Sequence, residues 1–194
     1  MRLDNLQRSL AQLVREGAIT ERTADPATAD YLRTVATTTG LRVMRDVVRE
    51  WRQLLLRQGC PLTTGALLAE CRFAASVEKF MRAESLDPLA QNLVTRFLAW
   101  VANCRDDDVK SLAQFEHALI NVRRGINSKI VVPWKCHPLD AVAAALHARP
   151  MPKPYLHAIY LTEIAAHLPG GFSISEISAA IEPSPPQPMN RMSV

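Results

Sequence analysis

Residues 109–138 read VKSLAQFEHALINVRRGINSKIVVPWKCHP, and the fold class turns on this run. Its first half places Val109, Leu112, Phe115, Leu119 and Val122 at three- and four-residue steps, which puts them along one helical stripe. Arg124-Gly125-Ile126-Asn127-Ser128 then supplies turn chemistry. Lys129-Ile130-Val131-Val132 is β-branched and too short for a helix, so it reads as a strand. Pro133 lacks a donor and suits a strand end or an edge. Helical periodicity up to Arg123 and strand composition after it predict an α+β chain. Its parts are a helical bundle over residues 1–122 and a small, mainly antiparallel sheet region over 123–182.

Upstream, the helical signal repeats. Leu3, Leu6, Leu10, Leu13 and Val14 share one face. Asp25-Pro26 is an N-cap followed by proline at the first helical position, with Leu32, Val35 and Ala36 as the apolar side and Gly40 as the stop. From Leu41 a longer helix begins, and its pattern directs Met44, Val47, Val48, Trp51, Leu54 and Leu55 inward until Gly59-Cys60-Pro61 ends it. Thr63 or Thr64 is the expected cap of the next segment, which carries Leu67, Leu68 and Cys71. Val77, Phe80 and Met81 mark another short helix. Asp87-Pro88 repeats the cap-plus-proline device ahead of Leu89, Leu93, Phe97, Trp100 and Val101, and Asp106-Asp107-Asp108 suits the positive end of the helix that follows.

Downstream, Pro138 opens a short helix through Val142 and Leu146, and Pro150-Met151-Pro152-Lys153-Pro154 is an extended linker. Tyr155 to Thr162 reads as a second strand. Leu168-Pro169-Gly170-Gly171 turns the chain into a short third strand at Phe172-Ser173-Ile174. Residues 183–194, with Pro183, Pro185, Pro186 and Pro188, have the composition of a disordered tail.

Composition narrows the function. The chain has 194 residues, 48% hydrophobic and 22% charged, which is ordinary for a globular protein able to bury its own core. No stretch approaches the roughly 18 apolar residues of a membrane span, and the N-terminus offers no signal-peptide core. A net charge of +4 comes from 23 basic and 19 acidic residues, so the basic excess is mild. Cys60, Cys71, Cys104 and Cys136 include no C-x-x-C pair and read as reduced thiols of a cytoplasmic protein.

Chemistry is sparse. There is no G-x-S-x-G elbow and no glycine-rich loop ahead of a helix, so neither nucleophilic catalysis nor phosphate cradling is signalled. The five histidines follow neither helical nor strand spacing, and no catalytic or metal-ligating residue is assigned. Arg42, Arg45, Arg49 and Arg52 form a stripe opposite Trp51. Phosphates attract such a stripe, which makes a small helical DNA-binding regulator the alternative reading. Asp46 and Glu50 interrupt it, however, and an amphipathic helix carries a charged outer face in any case. Trp51 and Trp100 fit apolar stripes; Trp134 fits either core or contact surface.

One pattern carries more. Phe115-Glu116-His117-Ala118-Leu119 with Val122-Arg123-Arg124-Gly125 is followed by Ile130-Val131-Val132-Pro133-Trp134-Lys135-Cys136-His137-Pro138, and then by Val142-Ala143-Ala144-Ala145-Leu146. This layout of helix, strand ending in W-x-C-x-P, helix and Pro-rich linker resembles the partner subunits of TIM-barrel, multinuclear-iron oxygenases that modify cysteines in ribosomal peptides. It is similar in particular to the MbnC-like family of methanobactin biosynthesis, with related partners in the thiaglutamate pathway. Over residues 1–182, the resemblance implies a partner that holds no iron itself. It would bind the leader of a precursor peptide and dock on an MbnB-like barrel subunit, whose iron and dioxygen convert a core cysteine into oxazolone and thioamide groups. A disordered leader is held economically by strand addition to a sheet edge. The expected template is the proline-free segment Tyr155, Leu156, His157, Ala158, Ile159, Tyr160 and Leu161, because the other strand runs into Pro133.

Overall fold

The computed structural model describes residues 3–16, 26–84, 92–104, 108–154, 158–168 and 171–180. Among them are eight helices: α1 (Leu3–Glu16), α2 (Pro26–Ala36), α3 (Thr39–Gly59), α4 (Pro61–Ala69), α5 (Phe73–Ala83), α6 (Leu93–Cys104), α7 (Asp108–Arg123) and α8 (Pro138–Leu146). Three strands, β1 (Lys129–Trp134), β2 (Ala158–Leu168) and β3 (Gly171–Ala180), form one antiparallel sheet in the order β1-β2-β3. The fold is α+β. The Asp87-Pro88 cap, Leu89, Asp106-Asp107, the start of the Tyr155 strand and the tail from residue 183 lie outside the described residues.

Helix ends follow local chemistry. The α2–α3 break falls at Thr37-Thr38, ahead of Gly40, because the Thr38 hydroxyl accepts from the Leu41 N–H at 3.3 Å and starts α3. Helix α7 ends in a Schellman turn, with the Ile126 N–H donating to Asn121 O at 2.9 Å and the Gly125 N–H to Val122 O at 3.0 Å. Gly125 sits there at φ +68°, where a side chain would be strained. Helix α8 ends the same way without a glycine: Ala148 takes φ 47° while the Arg149 N–H reaches Ala144 O at 2.8 Å.

The main core runs across residue 122, where the sequence places a domain boundary. Leu56, Phe80, Phe97 and Leu112 of the helices share one cluster with Val132, Trp134, Ala145 and Ile164. Phe80, Phe97 and Trp100 pack ring to ring, and Trp134 meets Phe115 edge-on at 5.6 Å. Trp134 is therefore core, at 1% exposure. Helix α8 lies so close to α4 that a Cβ on Gly65 would sit 2.0 Å from Ala145 O. Leu13, Leu32 and Leu41 make a second, smaller core that holds α1 and α2 to the start of α3.

Helix α3 corrects the sequence reading. Its pattern is amphipathic as expected, but Leu41, Arg52 and Leu56 are the buried residues. Met44, Val47, Trp51 and Leu54, expected inside, stand between 44% and 58% exposed together with Val43. Of the expected core face, Val48 and Leu55 are half-buried. The helix is rotated so that its arginine side turns toward α5 and its apolar stripe toward solvent.

Candidate functional site

The sheet is built from β1 outward. Along β1 the burial alternates, with Val132 and Trp134 inside and Lys129, Val131 and Pro133 outside. The register pairs Ile130 with Ile164, Val132 with Thr162 and Trp134 with Tyr160, so these side chains share the face that packs on the helices. The outer face is solvated, and Lys129 Nζ reaches Glu163 Oε2 there at 2.7 Å. His137 lies edge-on to Tyr160, with ring centroids 5.2 Å apart.

This geometry removes the open edge from part of the expected peptide template. Strand β2 is the middle strand. From Tyr160 to Ala165 it pairs with β1 on one side, and from Ala158 to Leu168 it pairs with β3 on the other. Tyr160 and Leu161 therefore have no open edge, and Ala158 and Ile159 are already paired to β3. Tyr155, Leu156 and His157 lie outside the described residues. Of the expected template, Tyr160 and Leu161 already have a strand on each side.

The open edge of suitable chemistry is β3. Expected as three residues, it extends over ten, from Gly171 to Ala180, and pairs only with β2 among the described residues. Its sequence, GFSISEISAA, has one charge and neither proline nor lysine, the devices that normally blunt an edge. Strand β1, the opposite edge, is shorter, carries exposed Lys129 and loses a donor at Pro133. Ile174 pairs with Ile164 and so belongs to the inward face, yet Ile164 is 0% exposed and Ile174 48%. Helix α7 lies against β1 and β2 and touches β3 least. An apolar side chain is thus left exposed on a strand that pairs on one side only among the described residues.

Behind the sheet, α7 carries the buried carboxylate of Glu116. Its Oε1 accepts from the Leu62 N–H and its Oε2 from the Thr63 N–H, both at 2.8 Å. Burial nevertheless lifts its pKa above the ordinary carboxylate range, against the opposing effect of those bonds. Burial also raises the neighbouring Cys60 thiol, whose Sγ–H donates to Leu56 O at 3.1 Å, and lowers His117. This cluster caps α4, in place of the expected Thr63 or Thr64, and leaves no open face for a substrate. The sequence held one signal of it: Cys60 at the N-cap has no strong side-chain acceptor, so the first turn of α4 must find one elsewhere.

None of the four cysteines forms a disulfide; Cys60 and Cys136 are buried, and Cys71 and Cys104 exposed. Among the described residues no group of three or more His, Cys, Asp or Glu is placed to hold a metal ion, and no helix is long and apolar enough to cross a membrane. Comparison with known proteins gives no match to a family model, a curated protein or a solved structure.

Proposed function

We propose that this chain is a cytoplasmic, non-catalytic partner subunit that binds the leader of a ribosomal precursor peptide. It presents the peptide's core cysteine to an iron-dependent barrel oxygenase of the methanobactin-forming type. The observation that carries the reading is β3: a ten-residue edge, almost free of charge, with Ile174 uncovered beside it. A leader added as a fourth strand gains main-chain hydrogen bonds along that edge, and its inward side chains pack against Ile174. The site moves by one strand from β2 to β3, while the mode of binding stays the same. The exposed stripe of Val43, Met44, Val47, Trp51 and Leu54 supports the second half of the proposal, because a surface of this kind is what a subunit partner covers. Iron belongs to the barrel in this reading.

The test is co-expression with an iron-dependent barrel oxygenase of this type and a cysteine-containing precursor peptide, followed by leader binding to the purified pair. In an antiparallel edge strand, N–H groups point alternately to the neighbour and to solvent. Of the two variants Ser175→Pro and Glu176→Pro, one therefore breaks the ladder to β2 and the other removes only an outward donor. The variant that still folds is expected to lose leader binding. Unchanged affinity in it overturns the β3 site. A chain that co-purifies with neither oxygenase nor peptide overturns the function.

A further inference from the structure

Rotated as it is, α3 turns a stripe of arginines toward its neighbour. Arg42, Arg45, Arg49 and Arg52 are spaced three, four and three residues apart, so they share a face over about 15 Å of helix. That face forms one wall of a cleft of about 1040 Å³, and α5 forms the other. Val48 of α3 and Val77 and Met81 of α5 give the cleft apolar lining between the charges.

The charges do not balance. Four carboxylates line the cleft, and each already has an arginine. Asp46 and Glu50 lie 2.9 Å and 3.9 Å from Arg49, Glu78 lies 2.5 Å from Arg82, and Glu84 pairs with Arg96. Arg42 and Arg45 carry no ion pair among the described residues, while Arg52 is buried to 6% exposure on the same wall. Guanidinium groups in a partly enclosed site favour carboxylate or phosphate partners, and the attraction strengthens as water is excluded.

The lining selects among anions. No aromatic ring is among the described residues that line the cleft, so nothing there offers a base a stacking platform. A peptide helix with acidic residues along one side and apolar residues along the other matches both parts of the wall. Its carboxylates meet Arg42 and Arg45, and its apolar side meets Val48, Val77 and Met81. We infer that the α3–α5 cleft is a docking groove for an acidic amphipathic segment of a partner protein. Nothing in this depends on strand addition at β3.

The test uses the full chain and a labelled synthetic helix of about four turns, with glutamates at i, i+3 and i+7 and leucines on the adjoining face. The competitors are the same helix with lysine for glutamate, a single-stranded oligonucleotide and inorganic phosphate. The acidic helix is expected to bind, to weaken as salt is raised, and to lose on the order of tenfold in affinity in the double variant R42E/R45E. Both arginines are exposed, so the variant should fold. The milder pair Arg42→Gln and Arg45→Gln gives the same reading if charge reversal disturbs the fold. Absence of binding, binding indifferent to these substitutions, or displacement by the lysine helix overturns the proposal. Displacement by the oligonucleotide assigns the cleft to nucleic acid, displacement by phosphate alone assigns it to a small oxyanion, and either result also overturns it.

Discussion

Removing the Glu116 carboxylate should be among the costliest single changes in the helical part of the chain. Helix α4 begins with Pro61 at its first position, which has no N–H, and Cys60 offers no side-chain cap. The Thr64 N–H already reaches Cys60 O at 3.1 Å, so the unmet donors of the first turn are those of Leu62 and Thr63. Glu116 accepts from both, one oxygen each. In Glu116→Ala two buried donors lose their acceptor at about 1–3 kcal/mol each, so the expected loss is about 2–4 kcal/mol once the site relaxes. Glu116→Gln keeps one oxygen but faces the second donor with an NH2 group, for a loss of about 1–2 kcal/mol. With a urea slope of about 2 kcal/mol/M, Glu116→Ala moves the midpoint down by roughly 1–2 M. The sign with pH is also defined. Burial raises the folded pKa above the unfolded value of about 4.3. Between those two values the folded chain holds a proton that the unfolded chain has released, so the contribution of Glu116 is complete below about pH 4.3 and falls as pH rises through the folded pKa. Urea titrations of parent and Glu116→Gln across that range should show the gap between them narrowing as pH rises. Midpoints of both variants within about 0.25 M of the parent, or about 0.5 kcal/mol at that slope, would refute the capping role.

Other outcomes are equally specific. Trp134→Ala should cost about 3–5 kcal/mol by urea denaturation, because it empties a site against Phe115, whereas Trp51→Ala should stay within about 0.5 kcal/mol; similar losses at the two tryptophans would contradict the rotation of α3. Gly65→Ala drives a Cβ against Ala145 O and should lower stability by about 1–3 kcal/mol, read as a drop in melting temperature, and an unchanged melting point would mean that α4 and α8 do not approach so closely. Ala148→Gly relieves a left-handed residue and should raise stability by roughly 0.5–1 kcal/mol, while a loss would show that the turn is not strained. Burial lowers the pKa of His117, so the unfolded chain takes up a proton first on acidification, and stability should fall as pH drops from about 6.5 toward the folded pKa; His117→Asn should remove that part of the slope.

Spacing made the helices legible because an amphipathic stripe needs only local information. Leu13 and Leu32 are buried where the periodicity put them, and so are Phe97, Leu112 and Val122. Spacing says which residues share a face; it does not say which face turns inward. In α3 both stripes are continuous, and the choice between them is made by what α1, α4 and α6 present, so spacing alone assigns Trp51 to a core that it does not enter. The Glu116 cap was hidden for a related reason. Its donors lie 53 and 54 residues earlier in the chain, and a glutamate on a helix normally reads as surface.

Strand order was the deepest gap, and it bears directly on the function. The Tyr155 segment reads as an edge because it lacks proline, but freedom to donate says nothing about whether a donor is already engaged. Strand β2 continues past Thr162 through Glu163, whose charge broke the apolar pattern; in the fold that charge is held on the solvated face by Lys129. The continuation gives β3 a partner over its whole length, so the proline-free middle strand becomes the one with no edge to offer over Tyr160 to Ala165. The same chemical argument then selects β3, which also lacks proline and carries one charge, and whose far side no strand occupies among the described residues. Strand addition there would also cover Ile174, which a bare sheet leaves in water, so affinity and burial would rise together.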